Sequence, residues 1–410
     1  MTPGERARRV TATLRSVMRF EPVELDPVAR RLRRAADVSD LRRIARRRLP
    51  RGVFDYVDGG AEDEVTLRAN VDAYRRIQFR PRVLRDVGDV DPSTTLLGKP
   101  LSIPLVLAPT GFPRAVHPDG ELATARSAAR AGIPYTLSTL GTFSIEAVAQ
   151  AAPAGTNWFQ VYCWRDRGLV KDMIQRADAA GFEALVVTVD VARFGRRERD
   201  HRRGFTMPPQ LGLGTLVDGA LHPAWTWAFV NADPIRFANV IGLSVGDGTD
   251  AVSVSDYINE QFDPSLSWRD VDWMRDVWNG PIVLKGIQTV ADARLAAEAG
   301  VEAVALSNHG GRQLDTAPVP IDLVEPVAQA VGDRVEIICD GGVRRGSDVL
   351  KAVALGARAC MAGRLHLYGL GAGGERGVDH ALEIVDRDVR RTMALVGASN
   401  IAEITRELVA

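Results

Sequence analysis

VEIICDGGVRRGSDVLKAVALGARACMAGR, residues 335–364, holds the unit whose reading decides the fold. An apolar run, Val335–Cys339, stops at Asp340 and passes into a turn rich in glycine and arginine. A helix-like segment then leads to a second apolar run, Ala359–Ala362, which stops at Gly363 and Arg364. A parallel strand buried on both faces reads as a nearly unbroken apolar run. Working outward, the same unit recurs at Pro104–Ala108, Pro134–Leu137, Trp158–Tyr162, Ala184–Val189, Pro281–Leu284 and Ala303–Leu306. Eight such units in series predict an α/β protein of the (β/α)8 class, a TIM barrel, with its active site where the strands end. Thr110, Ser138, Tyr162, Asp190, Lys285, His309, Asp340 and Arg364 stand at or just after those ends.

The intervening segments fit helices packed on a barrel. Between Asp166 and Ala180, Val170, Met173, Ile174 and Ala177 form one apolar stripe, closed by Gly181. Thr289 is placed to cap the helix after strand five, with Gly300 past its end, and Pro320 to open the helix after strand six. Ser39 is read as the cap of a short helix from Asp40, with Leu41, Ile44 and Ala45 inward. Residues 1–37 read as a basic, mobile arm and 38–405 as the barrel domain, including the N-terminal helical extension. The rhythm breaks after strand four, where an insertion of about 191–265 replaces a short loop; such long connections are usually lids or disordered segments. Within it His222–Phe229, HPAWTWAF, reads either as a lid packed on the barrel or as a stretch dipping into a lipid interface, where tryptophan is enriched. Trp268, Trp273 and Trp278 read as part of the returning helix.

Of the 410 residues, 46% are hydrophobic and 25% charged, and the formal net charge is zero, so no global field favours nucleic acid. The charge is uneven all the same. Arginines crowd residues 30–51, which reads as a solvated helix face or as attraction to anionic lipid. The three cysteines form no CxxC pair, which suits buried thiols in a reducing compartment and gives no metal site. No apolar stretch is long enough to span a bilayer, and the first twenty residues lack the apolar core of a secretory signal. The expected location is the cytoplasm, with peripheral contact at the inner face of the membrane as the variant the basic arm suggests.

The strand-end residues suggest chemistry directly. Asp340-Gly341-Gly342-Val343-Arg344 and Gly363-Arg364 combine glycines, which let backbone N–H groups approach closely, with guanidinium donors. Barrels often bind phosphate between the loops after strands seven and eight; a substrate or a cofactor could own that phosphate. Lys285, inside the run IVLKG, could serve as a Schiff-base nucleophile, a general base, a fixed cation beside an electron-accepting ring, or half of a structural ion pair. His309 could remove a proton, with Asp190 orienting it and raising its basicity. Arg197 and Arg312 could clamp a carboxylate.

Beyond these readings, FDYVDGGAEDE, APTGF, WFQVY, TVDVARFGRRERD, VLKGI, SNHGGRQLD and DGGVRRGSDVLKAVALG resemble the FMN-dependent 2-hydroxy acid dehydrogenase/oxidase family, in order, over residues 38–405. HPAWTWAF and YINEQFDPSLSW (257–268) bring the chain nearest to the bacterial L-lactate dehydrogenases of that family. The resemblance implies FMN as cofactor and oxidation of a small L-2-hydroxy acid, L-lactate foremost. It implies His309 as the base beside Asp190. Arg197, Arg312, Tyr56 and Tyr162 would act on the substrate, with Lys285 at the N1/C2 edge of the flavin. Pro109, Thr110, Gly111, Ser138, Gln160 and Thr188 would meet the isoalloxazine ring, and Asp340, Gly342, Arg344, Gly363 and Arg364 the phosphate end. A homo-oligomer, a tetramer in much of the family, is implied as well.

Two departures shape the expectation. Leu140 stands where many oxidases of the family carry Trp, and Gly111 where many carry Ala. Both favour a quinone, cytochrome or other carrier over O2 as electron acceptor. No histidine precedes residue 100, so no haem domain is expected ahead of the barrel. The alternatives are an O2-using oxidase of a larger acid such as mandelate, a Schiff-base aldolase using Lys285, and a non-catalytic binding protein on the same fold.

Overall fold

The computed structural model describes residues 2–18, 24–203, 212–240 and 260–410. Eight parallel strands close into one barrel: β1 (Leu105–Leu107), β2 (Tyr135–Ser138), β3 (Asn157–Tyr162), β4 (Ala184–Thr188), β5 (Ile282–Ile287), β6 (Ala303–Ser307), β7 (Glu336–Asp340) and β8 (Ala359–Ala362). They pair in chain order, and β8 closes on β1. The eight apolar runs match these strands to within a few residues.

Alternation along each strand sorts side chains between two cores. Val106, Trp158, Val186, Val283, Ala305 and Ile338 fill the barrel interior, with Leu96 and Leu101 of a small antiparallel hairpin among them. Leu107, Phe159, Val187, Leu284, Leu306 and Cys339 face the surrounding helices. The next inward positions along the strands are polar: Gln160, Thr188, Lys285, Ser307 and Asp340, all buried. In register, Thr188 lies beside Lys285 and Ser307 beside Asp340. The same period of two that packs the core therefore sets a polar layer on top of it.

β5 carries a bulge between Lys285 and Ile287. Gly286 there has φ +112°, and a β-carbon on it would sit 2.7 Å from Cβ of Asp190. Only glycine lets the end of β5 come this close to the end of β4.

The helix Asp166 was expected to open spans Arg167–Ala179, capped by Asp166, with Gly181 at φ +78° beyond it. Thr289 caps Val290–Glu298, and Pro320 begins Pro320–Val331. The helix placed from Asp40 instead starts at Val38, and Asp37 rather than Ser39 caps it by accepting from the backbone N–H of Asp40 at 2.8 Å. The arm 1–37 is not uniform. Pro27–Leu32 is helical, Leu32 and Ala35 are buried, and Arg31 donates to the carbonyl of Ala372 at 3.2 Å.

The insertion contains short helices at Glu198–Arg202, Leu213–Ala220 and Pro223–Val230 before the returning helix Trp268–Val277. HPAWTWAF supplies the third of these. Part of YINEQFDPSLSW, residues 257–259, lies outside the described residues.

Candidate active site

A crevice with an empty volume of about 1060 Å³ opens at the C-terminal ends of the strands. Its floor is the polar layer. The Lys285 ammonium, 4% exposed, lies 2.7 Å from the Asp340 carboxylate and donates to the Ser307 hydroxyl at 3.0 Å. Ser307 in turn donates to Asp340 at 2.7 Å and accepts from the His309 backbone N–H. Burial pushes the lysine pKa down, but Asp340 and Asp190 outweigh it and hold the value above the ordinary one. A lysine kept protonated in this way is no nucleophile, so the aldolase reading loses its Schiff base. Of the roles left open, the ion pair and the fixed cation are one arrangement. It also alters the expected part of Asp340, whose carboxylate is committed to Lys285 and Ser307 while the loop after it faces the phosphate end.

Two strand ends bring His309 and Asp190 together. His309 Nδ1 lies 3.1 Å and 3.3 Å from the two carboxylate oxygens of Asp190. With Asp190 ionised, Nδ1 carries the proton and donates, which leaves Nε2 as the free acceptor. Burial would raise the Asp190 pKa, but His309 and Lys285 bring it below the usual carboxylate range. For His309, burial lowers the value, Asp190 opposes, and Lys285 and Arg197 add to the lowering. His309 itself sits at φ +59°, followed by Gly310 at +65° and Gly311 at +73°. A non-glycine residue in the left-handed region costs energy and is held by its surroundings. Here Gln313 does part of the holding, donating to the carbonyls of Asp190 and Arg193 and so tying the β4 and β6 loops together. His309 lines the crevice; Asp190, with its carboxylate 2% exposed, stands behind it. In the expected chemistry Asp190 would therefore position the imidazole rather than touch the reacting atoms.

The expected carboxylate clamp also converges. Arg312 donates to the carbonyls of Tyr56 (2.6 Å) and Gly59 (3.1 Å), and its guanidinium lies over the Tyr56 ring at 5.1 Å. Burial, then the neighbouring Arg197, lower its proton affinity. Arg197 has its Nε buried without a hydrogen-bond partner, and its guanidinium lies 5.9 Å from the Phe194 ring centre. Two adjacent cations and an orphaned donor at the mouth of a crevice call for an anion. Tyr56 reaches in from the helix Arg51–Asp58 and donates to the Gly111 carbonyl at 3.2 Å. Tyr162 is buried beside them, its pKa raised by burial first and Asp190 second. Leu140 forms part of the wall, and a β-carbon added to Gly111 would meet Leu140 Cβ at 3.4 Å.

The remaining groups fit a flavin mononucleotide. Gln160 is fixed by the Ser138 hydroxyl, which donates to its Oε1 at 3.0 Å. Its Nε2 is buried with no hydrogen-bond partner among the described residues, an orphaned donor in the same crevice lining as Lys285. Pro109, Thr110 and Gly111 line one side, and Thr188 the floor. At the far end, Gly341, Gly342, Val343 and Arg344 meet Gly363 and Arg364. Gly342 has φ +83°, and a β-carbon there would collide with the Asn70 carbonyl, so the loop is pressed against the helix Val65–Arg76. Arg364 donates to the carbonyls of Val57, Gly59 and Gly310, and Arg344 to that of Val343. Among the described residues neither guanidinium has a carboxylate as hydrogen-bond partner, which suits a phosphate. Every residue expected at the site lines this one crevice except Asp190.

Sequence reasoning passed over three contributors. Ser307 links base and cation; its inward register two residues before His309 was the available signal. Phe194 lines the crevice and packs on Phe262 at a centroid distance of 4.3 Å. His366, fully buried, bonds the Ala362 carbonyl through Nδ1 (3.1 Å) and the Thr110 hydroxyl through Nε2 (3.3 Å). Burial lowers its pKa to about 4, so it is neutral and fixes the Thr110 rotamer. Nothing in its sequence context marks it.

Comparison with known proteins agrees with this geometry. Over 405 residues the chain is 46% identical to the Mycobacterium tuberculosis protein named "Putative L-lactate dehydrogenase", covering 99% of this chain and 96% of that one. It is 43% identical over 376 residues to the L-lactate dehydrogenase of Caulobacter vibrioides, covering 92% and 97%. Among solved structures, the monotopic membrane protein (S)-mandelate dehydrogenase superposes with a TM-score of 0.88 at 38% identity, covering 92% of this chain and 99% of that one. The model of the FMN-dependent dehydrogenase family matches residues 45–410, and the chain belongs to that family.

Proposed function

We propose that the protein oxidises a small L-2-hydroxy acid, L-lactate foremost, to the 2-oxo acid and passes the electrons to a quinone or another carrier. The observation that carries this reading is the placing of the His309–Asp190 pair beside Arg197 and Arg312, over a crevice whose other donors suit FMN. FMN, when bound, supplies a two-electron acceptor. Gln160, Ser138, Thr188, Lys285 and the Pro109–Gly111 backbone would hold its ring, and the Gly341–Arg344 and Gly363–Arg364 loops its phosphate.

The chain's own residues then divide the work. Arg312 and Arg197 hold the substrate carboxylate, which satisfies the orphaned Arg197 Nε and the crowded charge around it. Tyr56 and Tyr162 orient the reacting end. Removing two electrons from a hydroxy acid also releases two protons: His309 Nε2 would accept one, and the other would leave with the electron pair to the acceptor that FMN supplies when bound. Asp190 stabilises the imidazolium that results. Lys285 stands as a preorganised cation where negative charge develops, which needs no reorganisation during reaction.

L-lactate relatives at 43–46% identity favour lactate. A second reading, a larger acid such as mandelate, draws on the mandelate dehydrogenase likeness and on Leu140, which leaves more room than Trp. Peripheral membrane contact belongs to the same proposal, since that solved relative is a monotopic membrane protein. Among the described residues no helix is long and apolar enough to cross a membrane. The test is anaerobic: L-lactate and mandelate are added separately to the yellow protein and the rate of flavin bleaching is followed. Rapid bleaching by lactate, with reoxidation faster by a quinone analogue than by air, is expected. Bleaching by mandelate alone would reassign the substrate, and bleaching by neither would defeat the reading.

A further inference from the structure

His366 is a titratable side chain with no exposed surface, and the chemistry above gives it no part. It lies in the first turn of the helix Arg364–Gly373, which follows β8. Its Nδ1 stands 3.1 Å from the Ala362 carbonyl and its Nε2 3.3 Å from the Thr110 hydroxyl. The Ala362 carbonyl also accepts from the Ala108 backbone N–H at 3.1 Å. One imidazole thus spans the seam where β8 closes on β1, and it ends on a residue that lines the crevice.

The proton positions follow from the partners. A carbonyl can only accept, so Nδ1 carries the hydrogen. Burial lowers the pKa to about 4, so at neutral pH the ring holds that one proton and Nε2 is a bare lone pair. Among the described residues the Thr110 hydroxyl is the hydrogen-bond partner of Nε2, and it must donate. A threonine hydroxyl otherwise rotates to give or to take a hydrogen bond. Here its single proton is committed to His366, and only its lone pairs are left for the crevice. The methyl group is placed as well: a β-carbon on Gly363 would sit 3.4 Å from Thr110 Cγ2.

That polarity bears on a flavin. In the oxidised ring N5 is bare and accepts; in the reduced ring N5 carries a hydrogen and donates. Lys285, held protonated by Asp340 and Asp190, suits the N1/C2 edge, where the reduced ring gathers negative charge. β1 lies across the closed barrel from β5, so Thr110 suits the other long edge, which carries N5. We propose that His366 is a positioning residue that raises the reduction potential of the bound flavin. By taking the Thr110 proton it makes that hydroxyl an obligate acceptor, which favours the reduced ring over the oxidised one. The proposal rests on the FMN reading above and not on which hydroxy acid is oxidised.

The test is the midpoint potential of the holoenzyme, read against a reference dye during anaerobic reduction by dithionite. His366→Leu frees the Thr110 hydroxyl to turn its proton into the crevice, and Thr110→Val removes the hydroxyl. Each should shift the equilibrium about tenfold toward the oxidised flavin, the size of one hydrogen bond, or about 30 mV more negative for a two-electron couple. The double variant should shift it no further, because His366 acts through Thr110. A merely structural role would lower Tm and FMN affinity and leave the potential where it is. An unchanged potential in the His366 variant with FMN bound, or shifts that add in the double variant, overturns the proposal. Should His366→Leu fail to fold, His366→Phe replaces it with a ring that cannot accept. A second measurement needs no variant: the nitrogen-15 spectrum of the wild-type holoenzyme should show His366 protonated at Nδ1 and bare at Nε2, and a proton on Nε2 would refute the assignment. No hydroxy acid enters either experiment, so failure of the substrate reading and failure of this one are distinguishable.

Discussion

His309 answers to two constraints at once. Its backbone is held at positive φ by the glycines that follow and by the Ser307 hydroxyl on its N–H. Its ring is turned by Asp190 so that Nε2 is the open acceptor. Because burial keeps the imidazole neutral, the base form is present at neutral pH. The rate constant kcat/KM should therefore rise with pH through a value below the ordinary 6.5 and stay flat above it. His309→Gln should leave the protein yellow while turnover falls by about 10²- to 10⁴-fold, the range of positioned general bases. Stopped-flow bleaching checks both; full activity in the variant would remove the imidazole from the mechanism. At this scale much was legible, because His309, Lys285 and the two arginines are chemically out of place on buried strand ends. His366 was not legible, because a buried neutral histidine on a helix looks like any other core residue. Nor was the Lys285–Asp340 pair foreseen as the answer for both residues. Linear distance hides which strand ends are neighbours, and the order of the closed barrel makes β5 and β7 converge through Ser307.

Asp58 shows how elements, rather than single residues, hold the site. Its carboxylate accepts from Arg42 on helix Val38–Arg48 at 2.5 Å, from Arg199 on the insertion helix at 3.1 Å, and from the Tyr368 hydroxyl on helix Arg364–Gly373 at 2.7 Å. Burial raises its pKa, but the hydrogen bonds from Arg42 and Tyr368 prevail and bring it to about 2, from 3.8. The sign follows from a depressed folded-state value: the stabilisation is complete above the unfolded pKa and is lost as pH falls from about 4 toward 2. Asp58→Asn should thus cost about 2 kcal/mol at neutral pH. The two melting curves should converge as pH drops through that window. A constant difference down to pH 2 would show that the cluster contributes nothing electrostatic. The cluster also explains why the helical extension was only partly readable. The FDYVDGG segment was legible only as a motif, because the partners of Asp58 lie in three other elements. The packed part of the arm was hidden for another reason. Val28, Leu32 and Ala35 make a short apolar face that the surrounding arginines obscure.

At the scale of the whole molecule, the barrel concentrates positive charge at one end of its crevice, where among the described residues Arg344 and Arg364 have no carboxylate hydrogen-bonded to their guanidinium groups. Arg344 and Arg364 face the phosphate end, and burial together with Arg344 lowers the proton affinity of Arg364. β8 pairs with β1 along Cys360–Ala362 and closes the barrel, and the apoprotein is expected to be less stable than the FMN-bound protein. We propose that the phosphate of FMN relieves the crowding. A ligand that binds only the folded state stabilises by about 2.7 kcal/mol at one hundred times its dissociation constant, and the effect grows with the logarithm of concentration. Melting of the apoprotein should therefore rise with added FMN well past stoichiometric saturation. Riboflavin, with the same ring and no phosphate, separates the two ends of the crevice. It can reach Gln160, Lys285 and the Pro109–Gly111 backbone but offers nothing to Arg344 and Arg364. We expect riboflavin to raise Tm clearly less than FMN at equal concentration, and Arg344→Gln to narrow the gap by lowering the FMN response alone. Equal stabilisation by the two flavins would mean that the loops after β7 and β8 do not hold a phosphate, whatever the strand ends do with the ring.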